Sequence, residues 1–110
     1  MIRGTTPDYI LTLDGVDLSG QTVYVTLSQG RTQITKTGND LSIATDETGS
    51  TIAFSLSQED TLGLAVGNAS IQVRFISENG VAQASMIETI GVDKVLLERV
   101  IEYADDSDQG

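Results

Sequence analysis

Apolar and polar residues alternate along most of this chain, and that period of two constrains its fold more than any other feature. Residues 22–28 read T-V-Y-V-T-L-S, residues 50–56 read S-T-I-A-F-S-L, and residues 70–75 read S-I-Q-V-R-F. Successive side chains of an extended strand point to opposite faces of its sheet. Each stretch therefore sends one set of side chains into a core and the other into water. Val23, Val25, Leu27, Ile52, Phe54, Leu56, Ile71, Val73 and Phe75 form the expected core.

Turn residues separate these stretches at regular intervals. Asp14–Gly20 holds two glycines and two aspartates, Gln29-Gly30 and Gly38-Asn39-Asp40 follow, and Asp46–Gly49 is a polar tight turn. Asn79-Gly80 is the strongest hairpin signal in the chain. Strands are predicted over residues 8–13, 22–28, 31–37, 41–45, 50–56, 69–77 and 81–92, with Ile34 inward and Gly91 marking a bulge or bend. About seven short strands with turns between them predict an all-β domain, a single immunoglobulin-like antiparallel β-sandwich.

Two segments depart from the alternation. Ser57 with Asp60 three residues on fits a helix N-cap, and Gly63 and Gly67 stop the helix early. One helical turn crossing between the sheets is expected there. Near the end, Leu97, Val100, Ile101 and Ala104 share a helical face that Asp93 could cap. That spacing favours a short C-terminal helix, with an extended strand as the competing reading because Val and Ile suit it. Residues 1–104 read as one domain, and the polar stretch at 105–110 as a disordered acidic tail.

Histidine, cysteine and tryptophan are absent. The commonest general base is missing, as are the thiolate nucleophile and the usual soft metal ligands. A Ser-His-Asp triad is impossible. Asp14 with Asp17, and Asp46 with Glu47, supply too few converging oxygens for calcium, so they read as solvated turn residues. A glycosidase pair would need two carboxylates across a cleft, which so small a sandwich rarely encloses. Gly63–Gly67 lacks the lysine and the strand-to-helix context of a phosphate loop. No catalytic, cofactor-binding or metal-binding residue is expected, and no cofactor.

Six Lys and Arg stand against sixteen Asp and Glu, a formal net charge of -10. That balance argues against nucleic acid, whose phosphates need clustered cations, and against anionic membrane surfaces. The opening M-I-R-G-T-T-P has no apolar core of a signal peptide. No apolar run exceeds three residues, as at Val95–Leu97, which is far too short to span a membrane. Synthesis in a cytoplasm without classical export is the expectation.

Apolar residues that should face outward carry more information. Ile76 follows Phe75 against the alternation, and Val95, Leu96 and Leu97 come together. With Val100, Ile101 and Tyr103 they make a candidate interface. Either another subunit covers this surface, giving an oligomer, or the C-terminal segment folds back to cap the domain's own core. Of the other tyrosines, Tyr9 reads as core and Tyr24 as outward-facing.

The opening M-I-R-G-T-T-P and the Thr12-Leu13 strand resemble a group of small proteins encoded by phages and prophages of gut Firmicutes. Three further segments are similar: Leu56–Thr61, Ile71–Phe75 and Val92–Leu96. Other members often carry Pro-Phe where this chain has Asp14-Gly15, and the acidic tail is also a departure. The resemblance implies a non-enzymatic virion protein of the tail, baseplate or head–tail region, working through contacts with other virion proteins or with itself. It would be made in the host bacterial cytoplasm and then held in the virion. The alternative is a carbohydrate-binding module for host attachment, which an aromatic content of 5% does little to support.

Overall fold

A computed structural model describes residues 1–85 and 87–102 of the chain. Strands β1 (Asp8–Asp14), β2 (Thr22–Gln29), β3 (Thr32–Thr37), β4 (Ser42–Asp46) and β5 (Gly49–Ser55) come first. Helix α1 (Gln58–Leu62), β6 (Gly67–Ile76), β7 (Ala82–Ala84) and β8 (Glu88–Val92) follow. One sheet has the order β1-β5-β4; the other runs β3-β2-β6, with β7 and β8 both against β6. All these pairings are antiparallel.

This order is that of an immunoglobulin-like sandwich. β1, β5 and β4 take the places of strands B, E and D, and β3, β2, β6 and β7–β8 those of C′, C, F and G. No described strand stands in the place of A, beside β1. The N-terminal residues lie elsewhere: Ile2 bridges Asp93 in parallel, just past β8.

Period two builds the core as expected. All nine predicted residues are buried, joined by Leu18, Leu64, Ala69 and Val92. Ile34 is half-buried against them, and the Tyr9 and Phe54 rings stack across facing strands with centroids 5.6 Å apart. Tyr24 faces outward. Turn chemistry closes the sheets locally. Gly49 has φ +150, and a Cβ there would sit 2.3 Å from the Leu13 carbonyl oxygen, so only glycine lets β5 start this close to β1. Helix α1 crosses between the sheets with the expected capping box. The Asp60 amide donates to the Ser57 hydroxyl at 3.0 Å, and the Ser57 amide donates to the Asp60 carboxylate at 2.9 Å.

The last predicted strand is split, and the irregularity lies before β8 rather than at Gly91. Phe75 faces Gln83 and Arg74 faces Ala84, yet Ile71 faces Glu88. One extra residue is thus inserted between β7 and β8, as in a β-bulge. Without it Ile71 would face Ile87. The slip turns Ile90 and Val92 inward and leaves Ile87 63% exposed.

The C-terminal helix does not form; residues 94–102 run without regular secondary structure. Long-range ties claim the main-chain groups that a helix would use. The Asp93 amide donates to the Met1 carbonyl at 2.6 Å, and the Arg3 amide donates to the Asp93 carbonyl at 3.0 Å. Gln58 holds both the amide and the carbonyl of Ile101. The predicted acidic tail at 105–110 lies outside the described residues.

Candidate interaction surface

Three ties position the C-terminal segment along the domain. The Arg3 guanidinium donates to Glu98 at 2.5 Å and to the Leu62 carbonyl at 2.8 Å. Val95 is half-buried against Gly4, and Gln58 grips Ile101. α1 is fixed in turn by Lys36 of β3, whose ammonium lies 2.7 Å from the Asp60 carboxylate. Partial burial works to raise the Asp60 pKa, but the Lys36 ammonium and the Ser57 donors outweigh it and hold the carboxyl below its ordinary value.

The segment stays largely uncovered. Leu96 is 89% exposed, and Leu97, Val100 and Ile101 lie open beside it. Tyr103 lies outside the described residues. Ile76 belongs elsewhere. It ends β6, whose other end faces Val92, so the full length of that strand separates Ile76 from Asp93. There it lines a hollow of about 190 Å³ with Tyr24 and Arg74. The seven predicted residues therefore form no single patch: five gather on the C-terminal segment and Ile76 is remote.

A second apolar feature escaped the sequence reading. β1 is the outer strand of its sheet, and among the described residues no strand lies beside it. Its inward residues Leu11 and Leu13 are only half-buried, whereas Ile52 and Phe54 of the neighbouring strand are fully buried. Ile10, on the other face, is 72% exposed. Between β1 and the β6–β8 side runs a groove of about 470 Å³. Leu11, Leu13 and Val16 form one wall and Ile71, Val73 and Glu88 the other. Residues 8–14 mix apolar residues on both faces, so period two gave no warning.

The carboxylates organise turns. Asp17 accepts from the Ser19 amide at 2.8 Å, and Asp46 accepts from the Thr48 amide and hydroxyl at 2.8 and 2.6 Å. These bonds hold both carboxyls below their ordinary values. Among the described residues no group of three or more acidic side chains converges as a metal site would require, and no helix is long and apolar enough to cross a membrane. Tyr24 is the exposed aromatic among the described large apolar residues.

No protein-family model and no curated protein matches this sequence. A solved structure of murine CRIg is similar at a TM-score of 0.37 and 11% identity, over 86% of this chain and 89% of that one.

Proposed function

We propose that this chain is an assembly protein of a phage particle, in the tail, baseplate or head–tail region, and that it acts by binding other virion proteins or further copies of itself. The observation that carries the assembly reading is the run of apolar side chains left in solvent at Leu96, Leu97, Val100 and Ile101. They lie outside both core clusters, so their exposure serves no packing within this chain. Contiguous apolar surface of this kind marks sites of protein contact. The particle itself is inferred from the resemblance of residues 1–7, 56–61, 71–75 and 92–96 to phage and prophage proteins.

The test is composition. Particles induced from a host that carries this gene in a prophage are purified by density gradient and quantified by mass spectrometry. The chain is expected at a fixed ratio to the major tail or head protein. Intact, infectious particles without it would overturn the reading.

A further inference from the structure

We propose that the open edge of β1 takes up an extended strand from a second copy of this chain, supplied by that copy's residues 94–100. This deepens the assembly reading and rests on it for its biological setting.

The acceptor is defined by backbone as well as by shape. The Leu56 amide donates to the Pro7 carbonyl and the Gly15 amide to the Thr48 carbonyl. The odd-numbered residues of β1 thus direct their main-chain groups toward β5. By the same period, Asp8, Ile10, Thr12 and Asp14 direct theirs to the open side. β1 runs uninterrupted for seven residues. The other wall of the groove is broken between β7 and β8, which makes it a poor template. Unpaired straight edges flanked by an apolar groove are what strand addition uses.

Charge selects the occupant. Asp8 and Asp14 end β1, and Glu88 stands at the groove wall. Antiparallel pairing of β1 with β1 of a second copy would set Asp8 against Asp14 twice, and like charges directly opposite destabilise a sheet. Residues 94–100 read K-V-L-L-E-R-V, four apolar residues with two of the chain's six cations and one carboxylate, a net charge of +1. Antiparallel to β1, one register places Lys94 opposite Asp14, Val95 opposite Leu13 and Leu97 opposite Leu11. Val95 and Leu97 then fill the groove beside the half-buried leucines. Leu96 falls opposite Thr12 and diagonal to Ile10, bringing together two of the most exposed apolar side chains of the molecule. The donor must release its Glu98 ion pair and its Gln58 bonds, at exposed positions, and lift half-buried Val95 away from Gly4. Donor and acceptor surfaces differ, so the contact closes as a pair only if two copies exchange segments reciprocally; otherwise it runs head-to-tail into rings or rows.

Sedimentation of the full chain over a wide concentration range reads the association. Self-association is expected, weakened about tenfold or more by Leu97→Asp. Asp14→Lys should weaken it as well, and combining Asp14→Lys with Lys94→Asp should restore it. The chain has no cysteine, so oxidising a mixture of Leu11→Cys and Leu97→Cys copies should give the mixed disulfide dimer. Circular dichroism establishes that each variant is folded; Leu97 and Asp14 are both exposed. A wild-type chain that stays monomeric throughout overturns the proposal. So does Leu11→Cys cross-linking faster to itself than to Leu97→Cys, or unchanged association in Leu97→Asp. Particles lacking the chain would remove the phage reading and leave these results standing, whereas a strictly monomeric chain found in particles would remove only strand donation.

Discussion

The side-chain amide of Gln58 pairs with the main chain of Ile101 as a neighbouring strand would. Its Nε2 donates to the Ile101 carbonyl at 2.8 Å, and its Oε1 accepts from the Ile101 amide at 2.6 Å. Gln29 does the same to Ala65, with distances of 2.8 and 2.6 Å. Each glutamine thereby gives a loop the hydrogen bonds that a sheet would otherwise supply.

Gln58→Ala removes both bonds and frees the C-terminal segment. Global stability should fall only slightly, by about 1 kcal/mol, because the groups released reach water. Local opening should rise far more. Trypsin cleavage after Lys94 and Arg99 reads it: the variant should be cut there faster than the wild type under native conditions, with the rest of the domain resistant. Equal cleavage rates would show that Arg3 and Val95 hold the segment without Gln58.

Ser50 is the polar residue on which the β1–β2 loop depends. Its hydroxyl donates to the Val16 carbonyl at 2.7 Å and accepts from the Leu18 amide at 3.1 Å, which leaves Thr45, 2.9 Å away, to donate to it. Ser50 is 1% exposed. Ser50→Ala leaves the buried Leu18 amide and the half-buried Val16 carbonyl without this partner, while exposed Thr45 turns to water, and should cost about 1–3 kcal/mol in a urea melt. A loss within error would mean that water replaces the hydroxyl.

What was legible in the sequence was what repeats locally. Val23, Val25 and Leu27, Ile52, Phe54 and Leu56, and Ile71, Val73 and Phe75 declare their burial by alternation, and Ser57 with Asp60 declares its cap. What was hidden depends on distant partners. The spacing of Leu97, Val100 and Ile101 fits a helix equally well, and only Gln58, Met1 and Arg3, far away in sequence, decide against it. Gly91 offered a plausible bulge, but the extra residue falls where β6 and the core need Ile90 and Val92 turned inward. For the interaction surface, the surplus of apolar residues after Val92 was visible. The open edge of β1 was not, because a missing strand leaves no residue to read.

Phe54 faces Tyr9 across β1 and β5 and lies within the main core cluster. Phe54→Ala removes a stacked ring at a site 4% exposed and should cost about 3–5 kcal/mol. A chemical melt measures it, with the slope checked for an unchanged denatured state. Tyr9 is only half-buried, so Tyr9→Leu should cost well under half as much. A loss below about 1 kcal/mol at Phe54 would contradict the burial described for it.

Asp60 gives the fold part of its acid sensitivity. Its folded carboxyl lies below the ordinary value of 3.8, since Lys36 and Ser57 outweigh the effect of partial burial. A depressed folded pKa contributes stability that is fully present above the unfolded pKa and is lost as pH falls through the folded one. Asp60→Asn keeps an acceptor for the Ser57 amide and removes the charge facing Lys36. The variant should therefore be less stable than the wild type at neutral pH, and the gap should close as pH falls below about 3.8. Lys36→Met should lower stability at neutral pH and bring the acid limb of the profile to higher pH, because burial then acts on Asp60 without its cation. Urea melts from neutral pH to the acid limit read both curves. Parallel curves for wild type and Asp60→Asn would show that the acid sensitivity lies elsewhere, with Asp17 and Asp46, whose turn bonds also lower their pKa values, the next carboxylates to replace.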